Sequence, residues 1–383
     1  MVVKYRIGVD VRCLNNPITG IGRYTSEVLR RLIKMGHEWF LYSPGSLRAN
    51  DWSNFQNVQI RNGEKPSGYQ SFLWMQTMVP YYSAKDSLDL FWSPAHRLPF
   101  FLSSKITKVV TIHDLVWKFF PETMLPLTYW LDRFFMPRAV EQADSIIAVS
   151  LCTAKDMVNE FPFTRGKIFP IPLGVSLSAK AKPRCFLQKM GISNPYFLFV
   201  GTIEPRKNLI RLLDAYSQLK DTDKNKATLV IAGATGWGGV DIIKAAKKLG
   251  INNRVLVLGY VNDEELATLY AHAEFLAMPS LYEGFGLPLI EAMSHGTPVL
   301  TSNCASMPEV AGGAGLLVNP KDIGSISNGI ALMLEDGAVK RALSDQCKNN
   351  LKRFSWDAAA EETLKIFEKS ILVKKFGISF NAD

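Results

Sequence analysis

The 383-residue chain is predicted to adopt an α/β fold built from two doubly wound parallel sheets. Apolar strand-like runs alternate with segments of helical periodicity nearly throughout, which is typical of parallel strands joined by crossover helices. The alternation starts afresh after SLSAKAKPR (176–184), which has the composition of a linker. We therefore predict an N-terminal domain over 1–175, a second domain over 176–354, and a terminal helix with its tail over 355–383.

The N-terminal half begins with the predicted strand IGVDV (7–11), the turn-rich loop NPITGIG (16–22) and a helix over 21–35. Residues 44–66 are predicted to be mainly loop, with one short strand at 58–60. The later elements are strands and a capped helix: KVVTIHDL (108–115), SIIAVS (145–150), a helix over 151–161 capped by Ser150, and KIFPIPLGV (167–175).

The second half repeats strand and helix about every 25 residues, which predicts the second doubly wound domain. Its predicted elements are the strands at 196–201, 227–233, 254–259, 274–280 and 298–302, and the helices at 208–220, 240–249 and 263–273. A final helix is predicted over 355–372.

Composition describes an ordinary globular protein, with 47% apolar and 21% charged residues. No apolar run reaches the ~18 residues of a membrane span, and the N-terminus lacks a signal-peptide core, so we expect a cytoplasmic protein. The five cysteines are scattered without a C-x-x-C pair, so neither a disulfide framework nor a zinc site is indicated.

Net charge is uneven, since residues 1–175 carry 20 basic and 14 acidic side chains and the remainder carries 24 and 21. Sixteen aromatic residues fall within 69–135. This basic, aromatic half fits either an anionic membrane surface or diphosphate-bearing acceptor, or a plain solvated surface, and both interpretations stay open. Most of the aromatic residues are expected to be core. Nucleic acid is not an expected partner, because no reading motif or cationic cluster occurs.

The strongest candidate for a ligand site is SLYEGFGLPLIEAMSHGTP (280–298), in which Glu283 and Glu291 are eight residues apart. Pro288 suits the first turn of a helix, and the glycines between the glutamates let backbone amides approach a ligand. A helix is therefore predicted to start at 286–287, with unpaired amides that favour a phosphate. Phosphate donors between two hydroxyl-accepting carboxylates suit a sugar nucleotide. The alternative is a core helix with two solvated glutamates.

Three further segments carry candidate residues. In GTIEPRKN (201–208), Arg206 and Lys207 lie at a strand-to-helix corner, where two cations are unfavourable without an anion. His113 and Asp114 end a predicted strand, where open α/β sheets bind ligands. TGIGRY (19–24) forms a glycine turn that lacks the third glycine of a dinucleotide fingerprint.

These motifs, in this order, resemble glycosyltransferase family 4, whose members are retaining enzymes of the GT-B fold. The resemblance implies two facing Rossmann-like domains, with the donor in the cleft between them and a C-terminal helix that crosses back to the N-terminal domain. It implies catalytic roles for Glu283, His113, Arg206 and Lys207 and an acceptor-side role for Asp114. The donor-binding residues that it implies are Gly20, Gly22, Arg206, Lys207, Glu283, Gly284, Phe285, Gly286, Leu287 and Glu291.

In their residues and spacing, the motifs are most similar to those of bacterial mannosyl- and rhamnosyltransferases that build surface polysaccharide, including O-antigen. We therefore expect hexose transfer from a nucleoside diphosphate sugar, GDP-linked, to a glycan acceptor linked to a lipid diphosphate at the inner membrane face. No metal and no cofactor besides the donor are implied. Three alternatives stay open: a sucrose- or trehalose-type synthase, a sugar-nucleotide epimerase and a non-catalytic glycan-binding module. The sequence leaves open the linkage and the oligomeric state.

Overall fold

A computed structural model describes residues 3–15, 20–45, 47, 52–63, 69–176, 179–193, 195–220, 222, 227–238 and 241–377. The chain divides into two compact units. The first unit comprises Met1–Lys118, Pro126–Gly174 and Ser355–Asp383, and the second comprises Phe119–Leu125 and Val175–Phe354. The short segment 119–125 therefore belongs with the second unit although it is embedded in the sequence of the first, which the sequence did not predict.

The first unit contains, among its described residues, a parallel sheet of seven strands in the order β3-β2-β1-β4-β5-β6-β7. The strands are β1 Arg6–Asp10, β2 Glu38–Ser43, β3 Val58–Asn62, β4 Leu90–Ser93, β5 Thr107–Ile112, β6 Ser145–Ala148 and β7 Ile168–Pro170. The helices along this part of the chain are α1 Gly20–Leu32, α2 Tyr69–Lys85, α3 Val116–Phe119, α4 Pro126–Gln142 and α5 Leu151–Glu160. The order reverses between β1 and β4, so the ends of these strands flank a switch point.

The second unit contains, within the described ranges, a parallel sheet of six strands in the order β10-β9-β8-β11-β12-β13. These are β8 Tyr196–Val200, β9 Thr228–Ala232, β10 Val255–Gly259, β11 Leu276–Met278, β12 Val299–Ser302 and β13 Gly315–Val318. Its helices are α6 Phe186–Lys189, α7 Leu209–Ser217, α8 Ile242–Lys248, α9 Asp263–His272, α10 Leu287–Ser294, α11 Met307–Ala311, α12 Ile323–Glu335 and α13 Gly337–Leu351. Its switch point lies between β8 and β11.

The terminal helix α14, Trp356–Phe376, packs on the first unit. Ser355 caps its N-terminus, and Trp356 lies so close to Gly174 that a Cβ on that glycine would come within 2.1 Å of the Trp356 amide nitrogen. Farther along, Ser370 shares a buried hydrogen bond of 2.7 Å with Ser145 of β6. The predicted α/β class and the return of the C-terminal helix to the N-terminal unit are confirmed.

Several elements differ from the prediction. The sequence did not predict strands β2 and β4, helices α2, α3, α4 and α6, or the region α11 to α13, because continuous apolar runs and short connections give no clear period. Strand β3 extends to Asn62, whereas 46, 48–51 and 64–68 of the predicted loop lie outside the described residues. Residues 177 and 178 of the predicted linker also lie outside them.

The aromatic residues of 69–135 are mostly not core, so that expectation is wrong. Of the fifteen that the structure describes, four are buried and five are exposed, and the rest are partly exposed. The five exposed ones are Tyr81, Phe101, Phe119, Trp130 and Phe134. Sequence composition could not separate these from the buried rings, because helices such as α4 carry apolar residues on every side.

Candidate functional site

The candidate site of the second unit lies at the carboxyl ends of β8 and β11, the two strands at the switch point. After β8, Pro205–Lys207 form one turn of 3-10 helix, and Asn208 follows in a left-handed conformation with φ of 63°. The Asn208 side-chain amide donates to the carbonyls of Pro279 and Pro320, at 2.9 and 2.7 Å. Asparagine is one of the few residues that accept this conformation readily, so it fixes the corner that presents Arg206 and Lys207.

The loop after β11 brings Glu283 into direct contact with both cations. Arg206 Nη1 donates to Glu283 Oε2 at 2.6 Å, and Lys207 Nζ donates to Glu283 Oε1 at 2.5 Å. Ser280 Oγ donates the third hydrogen bond of this carboxylate, to Oε1 at 3.0 Å. The structure thus brings together three of the residues that the sequence predicted to share a site, although Glu283 is more than 70 positions from the two cations.

Glu204 is a fourth charged member of this cluster that sequence reasoning missed. It is 5% exposed, and its Oε1 accepts from Arg206 Nη2 at 2.5 Å. Arg206 is therefore held between two buried carboxylates, and its Nη1 also donates to the Tyr282 carbonyl at 2.8 Å. The sequence did carry one signal for Glu204, because this residue belongs to the same EPRKN motif as the two cations.

Electrostatics separate the two carboxylates. Burial, the largest single effect, would raise the pKa of Glu283, but Arg206 and Lys207 together lower it to about 2. For Glu204, burial again comes first and outweighs the attraction of the same two cations, so its pKa is raised. Glu283 is thus firmly ionised, whereas the negative charge of Glu204 is held less favourably. The anion that two adjacent cations require is supplied here by the chain itself.

The loop leading to α10 is held by backbone-directed contacts. Ser306 Oγ donates to the carbonyls of Glu283 and Phe285, at 2.8 and 3.0 Å. Gly286 has φ of 104°, and a Cβ there would lie 2.6 Å from Met307 Cε. A glycine is therefore required for the chain to turn into α10, which begins at Leu287 as predicted.

The remaining predicted residues of this loop differ in environment. Gly284 is buried, and the Phe285 ring packs edge-on against Phe354 at 5.6 Å, so only the backbone of Phe285 is placed to serve a ligand. Glu291 lies in the second turn of α10, and its Oε2 accepts from the Tyr270 hydroxyl at 2.9 Å. The Tyr282 ring packs against Phe119 and Phe120, which belong to the same unit.

The first unit places His113 and Asp114 directly after β5. His113 Nε2 lies 2.8 Å from the Pro94 carbonyl, and the His113 backbone amide donates to His96 Nε2 at 3.0 Å. A carbonyl only accepts, so neutral His113 carries its proton on Nε2. Burial, followed by the neighbouring His96, lowers the pKa of His113 to about 4. Asp114 Oδ1 accepts from the Val116 amide at 3.2 Å and so supports the start of α3.

His96 is the second residue that sequence reasoning missed. It follows β4 with φ of 39°, a conformation that is uncommon for a non-glycine residue, and its ring centroid lies 5.4 Å from that of His113. Strained positions of this kind cluster at functional sites, but a single sequence carries no sign of the backbone angle.

The predicted glycine turn proved to be helical. Helix α1 begins at Gly20, one residue earlier than expected, so Gly20 and Gly22 lie in its first turn. Residues 16–19 of the predicted loop, including Thr19, lie outside the described residues. The first amides of a helix have no intrahelical partner, so this position still suits an anion.

Within the described residues, no group of three or more His, Cys, Asp or Glu side chains could hold a metal ion. The sequence does contain one Asp-x-Asp pair, Asp221 and Asp223, and both lie outside the described residues. Across the described ranges, no helix combines the length and apolarity required to cross a membrane.

Comparison with known proteins matches two family models to the chain. Glycosyltransferase Family 4 matches residues 18–179, and Glycosyl transferases group 1 matches residues 188–354. The O-antigen chain mannosyltransferase B of Escherichia coli is 29% identical over 370 residues, covering 92% of this chain and 96% of that protein.

Solved structures of low identity share the fold. Sucrose-phosphate synthase from Thermosynechococcus elongatus has a TM-score of 0.76 at 20% identity, covering 96% of this chain and 99% of that one. Anabaena HepE in complex with UDP-glucose has a TM-score of 0.72 at 18% identity, covering 95% and 100%.

Proposed function

The chain belongs to the glycosyltransferases, with a family 4 domain followed by a group 1 domain. We propose that it transfers mannose or a related hexose from a GDP-linked donor to a glycan acceptor in cell-surface polysaccharide synthesis. The acceptor is linked to a lipid diphosphate, and the reaction retains the anomeric configuration. It requires no metal and no cofactor besides the donor substrate, and the enzyme works in the cytoplasm at the inner membrane face.

The observation that carries the proposal is the contact of Arg206 and Lys207 with Glu283 beside the start of α10. A departing nucleoside diphosphate gains negative charge as the glycosidic bond breaks, and preorganised cations stabilise that charge in the transition state. Arg206 and Lys207 bind the diphosphate, aided by the first amides of α10. Removing one such cation costs about 3 kcal/mol in the barrier, or about a hundredfold in rate.

Glu283 has two roles in this scheme. It keeps both cations in place before the donor arrives, and it accepts hydrogen bonds from donor-sugar hydroxyls. A carboxylate offers about four acceptor positions, so its three hydrogen bonds within the protein do not saturate it. Glu291 accepts from the ribose, as the family resemblance implies.

In the first unit, we assign His113 to the donor sugar and Asp114 to the acceptor, while the amides at Gly20 and Gly22 contact the diphosphate. The lowered pKa of His113 supports a neutral imidazole at neutral pH, with its Nε2 proton bonded to Pro94 and its Nδ1 lone pair available as an acceptor. The donor phosphate takes the acceptor proton. The mannose donor and polysaccharide product are drawn from the name of the Escherichia coli relative.

A thermal-shift panel of GDP-mannose, GDP-rhamnose, UDP-glucose and ADP-glucose tests the donor site. A donor at 100 times its dissociation constant stabilises by about 2.7 kcal/mol, or about 5–10 °C for a unit of this size. We expect the shift with GDP-mannose, and Lys207→Ala should greatly weaken it, because the diphosphate loses a charge-assisted hydrogen bond. Lys182→Ala is the matched control, because Lys182 forms a 2.8 Å ion pair with Glu264 elsewhere in the second unit.

If no nucleotide sugar produced a shift, the donor-site assignment would be wrong. A shift with UDP-glucose alone would assign uridine and glucose, in place of guanosine and mannose, to the donor. NMR of the product's anomeric proton decides retention, and turnover in EDTA decides metal independence. Conversion of donor without any acceptor would instead indicate an epimerase.

A further inference from the structure

We infer that the outer side of α4 is a docking surface for an anionic phospholipid bilayer. The α4 surface is defined by four exposed apolar side chains and two arginines beside them: Phe101, Leu127, Trp130, Phe134, Arg133 and Arg138. All six belong to the first unit. The inference does not rest on the proposed reaction, because lipid binding is measurable without donor or turnover.

The three apolar members that lie on α4 project into solvent on one side of the helix. Leu127, Trp130 and Phe134 are spaced by three and four residues and are 62%, 51% and 51% exposed. The opposite side of α4 faces the core through buried residues such as Met136 and Val140. A helix that packs on a domain ordinarily carries polar residues on its outer side. Here that side is apolar, and such exposed surfaces mark interaction sites.

The rings and Arg138 form a continuous chain of contacts. Trp130 stacks on Phe134 with centroids 5.9 Å apart, and the Arg138 guanidinium lies 5.9 Å from the rings of both Phe134 and Phe100. Phe100 in turn contacts Phe101, which is 79% exposed. The loop between β4 and β5 and helix α4 therefore present one surface rather than scattered apolar residues.

The charge of this surface is complementary to anionic lipid. Arg133, Arg138 and Lys105 are exposed on α4 and on the loop between β4 and β5, and these two segments expose one acid, Glu141. The other acid of α4, Asp132, is buried and paired with Arg97 at 2.6 Å. Aromatic side chains with adjacent arginines suit the boundary between lipid head groups and acyl chains.

The area argues for a bilayer over a second copy of the chain. The exposed parts of the four apolar side chains amount to about 400–500 Å², from typical side-chain areas. A stable protein interface needs about 800 Å² on each partner. A helix lying flat on a lipid surface needs no complementary groove, so this smaller area is sufficient for reversible adsorption.

Vesicle sedimentation tests the inference, using phosphatidylcholine vesicles with and without 30% phosphatidylglycerol, at low and high salt. We expect binding to the anionic vesicles that weakens with salt. Trp130→Ser with Phe134→Ser should lower partitioning at least about tenfold on these vesicles. Arg133→Gln with Arg138→Gln should lower it about 20–30-fold and flatten the salt dependence.

Phe163→Ser is the matched control, because Phe163 is 58% exposed on the same unit and also has a cation, Lys167, over its ring. All substituted positions are exposed, and circular dichroism melting verifies that each variant is folded. Equal partitioning of wild type and Trp130→Ser/Phe134→Ser would overturn the inference, as would a wild type that binds no vesicles. A wild-type dimer that this double variant converts to a monomer would assign the surface to a second copy instead.

Discussion

The two sheets have the same arrangement around their switch points, yet their carboxyl edges hold ionisable groups in opposite ways. In the second unit, Glu283 is buried with two cations against it, and its pKa falls to about 2. In the first unit, burial first and the neighbouring His96 second lower the pKa of His113 to about 4. Glu283 is therefore fixed in its charged form and His113 in its neutral form. The comparison teaches that burial favours the neutral form of both groups, and that the two cations beside Glu283 reverse this preference, whereas His113 has no partner strong enough to do so.

The outer surfaces differ as well. The described exposed aromatic residues are Tyr81, Phe101, Trp130, Phe134, Phe163 and Phe376 in the first unit and Phe119 and Tyr260 in the second. Similar sheets are thus surrounded by different surfaces, and among the described residues only the first unit presents exposed rings in contact with one another and with an arginine.

The largest expected effect comes from removing the carboxylate that neutralises the second unit's cluster. Glu283→Ala leaves Arg206 and Lys207 without their shared partner, which should destabilise that unit by about 3–5 kcal/mol at pH 7. Hydrogen-exchange protection of the β8 amides measures this loss. Inorganic pyrophosphate should restore much of the protection, since it replaces the missing negative charge.

Glu291→Ala is the control for this variant, because it loses one hydrogen bond with Tyr270 and should cost about 1–2 kcal/mol. Equal losses in the two variants would show that the cations do not depend on Glu283, and the contrast between the two edges would disappear.

The next effect concerns the pH dependence of the first unit. His113 titrates near 6.5 in the unfolded chain and at about 4 in the folded one, so protonation favours unfolding. Neutral His113 contributes about 3 kcal/mol to the free energy of unfolding above pH 6.5, and this contribution is lost as the pH falls toward 4. His113→Gln should therefore lose about 3 kcal/mol less than wild type over this range, measured by exchange of the β5 amides.

Glu283 provides the complementary window in the second unit. Its folded pKa lies below the ordinary value of 4.5, so its stabilisation is present above pH 4.5 and is lost as the pH falls toward 2.

Below pH 4, the curves of stability against pH for wild type and His113→Gln should be parallel in the first unit. Parallel curves at pH 4–6.5 would mean that His113 titrates normally in the folded state.

The smallest expected effect distinguishes the role of Glu204 from that of Glu283, the other carboxylate that holds Arg206. Glu204→Gln keeps an oxygen for the Arg206 hydrogen bond but removes the charge whose burial raises the pKa of Glu204. We expect inorganic pyrophosphate to bind about tenfold more tightly to this variant, because the cluster gains one unit of positive charge. Isothermal titration calorimetry measures the dissociation constant of pyrophosphate for both proteins. Weaker binding would show that the ionised carboxylate is needed to orient Arg206.

The sequence by itself determined the alternation of strands and helices, the start of α10 at Leu287 and the cap at Ser150. These features depend on local preferences, since a proline, a glycine or a hydroxyl acts on the few residues next to it. The same locality explains why EPRKN and EGFGLPLIE could be recognised as ligand-binding segments.

Only the tertiary structure decided which charges meet. Arg206 lies between Glu204 and Glu283 because the ends of β8 and β11 are neighbours, and His96 reaches His113 because β4 lies beside β5. Likewise, the outward direction of Trp130 and Phe134 depends on which side of α4 the sheet covers. Pairing, burial and the resulting pKa values arise from contacts between segments distant in sequence, and a local pattern carries no record of those distances.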